Sequence, residues 1–149
     1  IVNCAMLSAF FLNMPKLPSV DDATEYYKKS MMTGAMQWFC RMSGKKKYTE
    51  SDINGMKATA KLKAADRNPY SWNMDFYEYE DGSGYEARFY TCGICTLMRE
   101  LGLTELIPAM CRLDYTMSEA GGVTDFVREY TLASGGPYCD CGYKKKTAK

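Results

Sequence analysis

The sequence predicts an α+β fold in which N-terminal helices precede a β-β-α-α-β-β arrangement. Large apolar residues recur at helical spacing through the first half of the 149 residues. The second half contains two pairs of aromatic-rich or alternating segments, and a glycine-containing turn joins each pair. We therefore expect one domain over residues 1–149, with a four-stranded antiparallel sheet and helices packed on it.

The first half predicts three helical segments. Ile1–Leu12 is apolar and is typical of the end of a helix, so we expect a domain truncated at its N-terminus. Ser19 begins a capping-box-like pattern and predicts a long helix to about Met42, ended by Gly44. A further helix is predicted over residues 49–68, because Thr49 is a good cap and Asn68 precedes a proline.

The second half predicts four strands around two helical segments. Their order follows from turn residues that separate aromatic or alternating runs. The expected elements are a strand over Trp72–Glu80, a loop over Asp81–Gly84, a strand over Tyr85–Cys92, a short helix closed by Gly102, a helix opened by Thr104 and stopped by Gly121, a strand over Thr124–Leu132, and a strand from Tyr138 to about Lys144.

The composition excludes several classes of function. Nineteen basic and eighteen acidic side chains give a net charge of +1, which provides no basic face for nucleic acid. The apolar N-terminal run is too short to span a bilayer, so we expect no membrane partner. Histidine is absent, which excludes histidine triads, HExxH metal sites and histidine general-base catalysis.

Seven cysteines are the most informative feature of the composition. An odd number leaves at least one thiol outside any intramolecular disulfide, and the spacing is unlike that of small secreted scaffolds. We therefore expect a cytoplasmic protein with reduced thiols. The apolar start predicts either a homodimer contact or packing against a missing upstream helix.

Five of the cysteines lie in the second half. Cys92 and Cys95 have CxxC spacing at a predicted helix start, where the helix dipole favours a thiolate. Cys139 and Cys141 are two residues apart on a predicted strand and therefore share a face. Cys111 lies in a helix beside its apolar stripe.

Three interpretations of these sulfurs stay open. In the first interpretation the cysteines are small buried apolar residues, which we expect for Cys4 and Cys40. In the second interpretation four of them form a structural zinc site, for which CxxC and CxC together supply four thiolates. In the third interpretation they are reactive or ligand-lining thiols. Cys111 and Cys139 are favoured for this role because Asp114 and Asp140 lie nearby in the sequence. The zinc ligands would be Cys92, Cys95, Cys139 and Cys141.

Polar residues accompany Cys111 along its helix. Asp114 and Ser118 follow at three and seven residues, so that they form a ribbon beside the core face. Arg128 lies on a predicted strand, where it either pairs with a glutamate at the surface or forms a fork for a ligand carboxylate.

The stretch from Phe89 through Tyr143 resembles the L-2-amino-thiazoline-4-carboxylic acid hydrolase family. The motifs that carry the resemblance are FYTCGIC, CRLDYTM, FVREYTLASGG and YCDCGY. The stretch is also similar to the wider small-molecule-binding domain named after 4-vinyl reductase. The resemblance is strong over about the C-terminal third and weaker through the preceding helices.

The resemblance implies hydrolytic opening of a thiazoline ring at a C–N bond, which gives a carbamoyl cysteine. It implies that Arg128 pairs with the substrate carboxylate and that Asp114 holds the amidine-like end of the ring. Cys111 or Cys139 would attack the carbon between sulfur and nitrogen, or a carboxylate would activate water. The other expected substrate-binding residues are Cys92 and Ser118. No cofactor is expected unless the zinc interpretation holds, and the alternative function is a non-catalytic small-molecule-binding or sensing domain.

Overall fold

A four-stranded antiparallel sheet packs against helices in the computed structural model, which describes residues 1–147. The predicted α+β class is confirmed, with N-terminal helices followed by two strands, helices and two more strands. The helices are α1 (Val2–Leu12), α2 (Val20–Met31), α3 (Gly34–Gly44), α4 (Glu50–Lys63), α5 (Gly93–Glu100), α6 (Ile107–Cys111) and α7 (Leu113–Gly121); the strands are β1 (Met74–Glu78), β2 (Gly84–Phe89), β3 (Thr124–Val127) and β4 (Cys139–Lys145).

The last strand of the chain lies inside the sheet. The strand order is β1-β2-β4-β3, and every pair is antiparallel. In the β2–β4 register Phe89 is opposite Cys139, and Ala87 is opposite Cys141. Because alternate side chains share a face, both cysteines point from a central strand toward the same side of the sheet.

The predicted single helix from Ser19 to Met42 is wrong, because the chain forms α2 and α3 instead. Met32 has a ψ of 51°, which is outside the helical range and ends α2. Thr33 then caps α3, since its hydroxyl accepts a hydrogen bond from the Met36 N–H at 3.3 Å. A good N-cap followed by a glycine, a poor helix former, favours a new start over continuation.

The predicted strand over Thr124–Leu132 is too long, since β3 ends at Val127. The carboxylate of Asp140 accepts hydrogen bonds from the backbone N–H groups of Glu129 and Tyr130, at 2.7 and 2.6 Å. These amides are therefore satisfied outside the ladder, and Arg128 begins a loop instead of continuing the strand.

The predicted helix between Thr104 and Gly121 is divided into three pieces. A short 3-10 turn covers Thr104–Leu106, and a turn at Arg112 separates α6 from α7. The helical spacing of Leu106, Met110, Leu113 and Met117 predicts a core stripe. The first three are buried, and Met117 packs partly buried against the same core.

The main hydrophobic core lies between helices, and a smaller core lies on the sheet. Helices α1, α2, α5, α6 and α7 contribute most of the buried apolar side chains of the main core. The smaller cluster consists of Met74, Ala87 and Cys141, and α4 residues pack on it. None of the helices in residues 1–147 is both long and apolar enough to cross a membrane.

Helices α3 and α7 cross at a point where both carry glycine. A Cβ atom added to Gly44 would lie 2.5 Å from the carbonyl oxygen of Gly121, which is backbone and cannot rotate away. We expect Gly44→Ala to lower the free energy of unfolding by about 1–3 kcal/mol, because the helices must separate. Urea denaturation measures this change.

Gly55→Ala is the matched control, because nothing lies within 4 Å of an added Cβ in the middle of α4. Alanine there should raise stability by roughly 0.5–1 kcal/mol through helix propensity alone. Equal effects at Gly44 and Gly55 would contradict the close crossing of α3 and α7.

Candidate active site

A cavity of about 290 Å³ lies between the sheet and the segment that runs from α5 to α7. It is open to solvent on one side, and its walls combine aromatic and aliphatic groups with sulfur, one cation and one carboxylate. The lining residues are Trp72, Phe89, Cys92, Ile94, Met110, Cys111, Asp114, Arg128, Cys139, Cys141 and Tyr143. An apolar cleft with a few converging polar groups is the usual form of a small-molecule site.

Arg128 is the buried cation of this cavity. Its side chain is only 6% exposed, and it donates to Asp114 Oδ2 at 2.6 Å and to the Cys111 carbonyl oxygen at 3.1 Å. Burial opposes the guanidinium charge, but Cys141 and Asp114 outweigh it and raise the pKa of Arg128. The guanidinium also stacks over Phe126 at 4.7 Å, which further fixes its plane.

One donor of Arg128 is unused. Its Nε–H is buried and has no hydrogen-bond partner among residues 1–147. A buried donor without a partner costs free energy, so this Nε–H is an unsatisfied polar group in a residue that lines the cavity. The side chain of Asp114 is 44% exposed, so this carboxylate can also accept hydrogen bonds from a ligand.

Cys92 is the acidic thiol of the cavity. It is the N-cap residue of α5 and does not make a regular capping hydrogen bond. The nearby Cys95 thiol is the main cause that lowers the pKa of Cys92 to about 6, although burial opposes this shift. The backbone N–H groups of Cys95 and Ile94 and the indole of Trp72 lower the pKa further. Among the four cysteines of the cavity, Cys92 is therefore the one whose surroundings favour the thiolate.

The first turn of α5 packs tightly against an upstream loop. A Cβ atom added to Gly93 would lie 2.2 Å from the Tyr70 carbonyl oxygen. Only glycine allows this approach, and it places Trp72 where its indole reaches Cys92.

The other three cysteines of the cavity are neutral thiols. Burial raises the pKa of Cys111 and that of Cys141 to about 12 each, although Arg128 opposes both shifts. Burial also raises the pKa of Cys139, whose sulfur accepts a hydrogen bond from the Leu132 N–H at 3.2 Å. The thiolate character of Cys92 therefore distinguishes it from the two cysteines that the sequence favours as nucleophiles.

The zinc interpretation receives no support from this arrangement. In the part of the chain that the structure describes, no three Cys, Asp or Glu side chains are grouped closely enough to hold a metal ion. The four proposed ligands have other partners, since Cys92 pairs with Cys95, Cys139 accepts from a backbone amide, and Cys141 lies 2.8 Å from Arg128. All seven cysteines, which lie within the described residues, are free thiols.

Ser118 lies in a second cavity, of about 200 Å³, on the other side of Asp114 and Tyr143. Its hydroxyl donates to the Thr124 carbonyl oxygen at 3.4 Å. The same cavity contains Lys47, whose ammonium lies 3.7 Å from the centre of the Tyr143 ring. Burial lowers the pKa of Lys47. Of the predicted site residues, the structure thus brings Cys92, Cys111, Asp114, Arg128 and Cys139 together and places Ser118 apart from them.

The whole sequence agrees with the resemblance seen in its C-terminal part. Residues 3–143 match the family model described as L-2-amino-thiazoline-4-carboxylic acid hydrolase. The chain belongs to this family. No curated protein and no solved structure matches the chain. The match includes α1 to α4, so the family resemblance extends well beyond the C-terminal third.

The sequence analysis missed two residues of the cavity in this L-2-amino-thiazoline-4-carboxylic acid hydrolase family member. Trp72 precedes β1 and lines the cavity together with Cys92, and the loop that carries it packs closely on Gly93. Tyr143 reads as an ordinary strand aromatic, yet it lies between the two cavities. The alternation of Cys139, Cys141 and Tyr143 along β4 could have placed Tyr143 on the cavity face.

Proposed function

We propose that this chain hydrolyses the ring of an L-2-amino-thiazoline-4-carboxylate at its C–N bond, with Cys92 as the nucleophile, and forms S-carbamoyl cysteine. The observation that carries the proposal is one cavity that contains a thiolate, Cys92, and a buried guanidinium–carboxylate pair, Arg128 and Asp114. Membership of the family supports the same reaction.

The substrate is small, carries one carboxylate and has an amidine-like carbon between its sulfur and two nitrogens. Arg128 is suited to the carboxylate, because it lines the cavity and its charge is retained despite burial. Asp114 is suited to the amino group, since its partly exposed carboxylate accepts hydrogen bonds from a cation. Trp72, Ile94 and Met110 provide apolar walls for the ring.

The steps follow from the chemistry of a thiolate next to an amidine-like carbon. The Cys92 sulfur adds to the ring carbon, the ring C–N bond breaks, and the nitrogen leaves as an amine after taking a proton from water. The product of this step is a covalent Cys92 adduct that keeps the exocyclic nitrogen. Water then adds to the same carbon and expels the Cys92 thiolate, so that one water is consumed in total and a thiocarbamate results.

The test is turnover of the amino-thiazoline by the purified reduced chain, followed by proton NMR and mass spectrometry. We expect S-carbamoyl cysteine to accumulate, together with a Cys92 adduct in acid-quenched samples. Turnover without a Cys92 adduct would favour Cys111, Cys139 or activated water instead. Saturable binding without turnover would identify a small-molecule-binding domain and contradict hydrolysis.

A further inference from the structure

Two sulfurs at the start of α5 form an asymmetric pair. Cys92 lines the open cavity, whereas Cys95 lies behind it in the main core and is only 3% exposed. The CxxC spacing places the two side chains one helical turn apart on the same side of α5. In ring opening Cys95 only lowers the pKa of Cys92, a role that another hydrogen-bond donor could fill, so the proposed function does not require a second sulfur at this position.

We propose that Cys92 and Cys95 form a redox-active dithiol that exchanges with low-molecular-weight disulfides. The chain would thus have a thiol–disulfide exchange activity beside the proposed hydrolysis. The two activities share Cys92, but only the exchange reaction requires that residue 95 carry a sulfur that can form a bond to Cys92.

The geometry gives each sulfur one role. An attacking thiol must be accessible and easily ionised. Cys92 borders the cavity and lies at the N-terminal end of a helix, which favours its thiolate. A resolving thiol must be close and protected from outside reagents, which burial of Cys95 achieves. The hydrogen bond to Cys92 is the main cause that raises the pKa of Cys95. This cause disappears once Cys92 is in a mixed disulfide, so Cys95 becomes easier to ionise when it must attack.

The exchange balances in two steps. The Cys92 thiolate attacks one sulfur of a disulfide RSSR, which forms a mixed disulfide with the chain and releases the first RS⁻. Cys95 then loses its proton to solvent and attacks the Cys92 sulfur, which releases the second RS⁻. Two electrons pass from the protein dithiol to the small disulfide, and the chain keeps a Cys92–Cys95 disulfide.

The other cysteines of the cavity are less suited to this reaction. Cys139 and Cys141 lie two residues apart on an extended strand, and each sulfur already has a polar neighbour, the Leu132 N–H or Arg128. Cys111 has no neighbour at CxxC spacing. The pair at the start of α5 is therefore the one to which exchange is assigned.

The experiment uses the full reduced chain, glutathione disulfide as the probe, and intact-mass and peptide mass spectrometry after acid quenching. We expect the mass to fall by two hydrogen atoms and the disulfide to map to Cys92 and Cys95. At pH 7 the reaction should be about two- to fourfold faster than for an unperturbed cysteine, because the larger thiolate fraction outweighs the lower nucleophilicity of a more acidic thiol. Cys95→Ser should stop at one glutathione on Cys92, and Cys92→Ser should yield neither product. Cys4→Ser, which changes a cysteine outside the cavity, should behave as the parent chain.

Three results would overturn the proposal: stable glutathione on Cys92 of the parent chain, a disulfide that maps to other cysteines, or no reaction at all. Its failure is distinct from failure of hydrolysis. Disulfide formation by a chain that does not turn over the thiazoline would leave the exchange proposal standing. Turnover by a chain that forms no Cys92–Cys95 disulfide would support hydrolysis and overturn the exchange proposal.

Discussion

Cys92→Ser is expected to lower kcat/KM for the amino-thiazoline by on the order of a thousandfold or more, because a serine hydroxyl stays protonated where the thiol ionises. The pH profile provides a second readout. With the pKa of Cys92 lowered to about 6, activity should be nearly constant at neutral pH and fall as the pH drops below about 6. An ordinary thiol, with a pKa of 9.0, would instead give activity that rises through the alkaline range.

The control for this prediction is Cys4→Ser, which changes a buried cysteine of the helical core. It should leave kcat/KM and the pH profile within a few-fold of the parent. Cys111→Ser and Cys139→Ser test the two nucleophiles that the sequence favours. Full activity in Cys92→Ser together with loss in either of these would move the nucleophile away from α5.

Asp114→Ala is expected to lower the free energy of unfolding by about 2–4 kcal/mol. The substitution leaves Arg128 charged and buried with no carboxylate beside it. The partial exposure of Asp114 keeps the expected loss below that of a fully buried pair. Urea denaturation at neutral pH measures the change.

A surface pair of the same type provides the comparison. Arg112 and Asp21 also approach to 2.6 Å, but their side chains are 50% and 86% exposed. Asp21→Ala should therefore cost only about 0–1 kcal/mol. Adding Arg128→Met to Asp114→Ala should recover part of the lost stability, since the unpaired charge is removed. Equal losses at Asp114 and Asp21 would contradict the importance of Arg128 burial.

The sequence predicted those parts of the fold and site that depend on neighbours along the chain. Thr49 caps α4 as its spacing from Asp52 suggests, and Gly122 ends α7 with a left-handed φ of 81°. The CxxC pattern placed Cys92 at the start of a helix, and alternation placed Cys139 on the same face as Cys141. Local hydrogen bonding and side-chain periodicity fix all of these.

Features that depend on distant contacts were not predictable. The ordering of thiol acidities depends on the Cys95 thiol beside Cys92 and on burial, which only the folded core determines and which raises the pKa of Cys111 and Cys141. The pairing of Arg128 with Asp114 needs the chain to leave β3, which the Asp140 carboxylate causes from a different strand. A strand pattern gives no indication of such a side-chain competitor.

The close approach of Gly93 to the Tyr70 carbonyl oxygen has a dynamic consequence. Trp72 lies two residues beyond this contact, so the loop and the first turn of α5 form one cooperative unit. Whenever that unit opens locally, the indole leaves Cys92 and the sulfur loses part of the environment that makes it acidic. Local opening of this contact therefore links amide hydrogen exchange in the loop to a rise in the pKa of Cys92, while the larger contribution of Cys95 is kept.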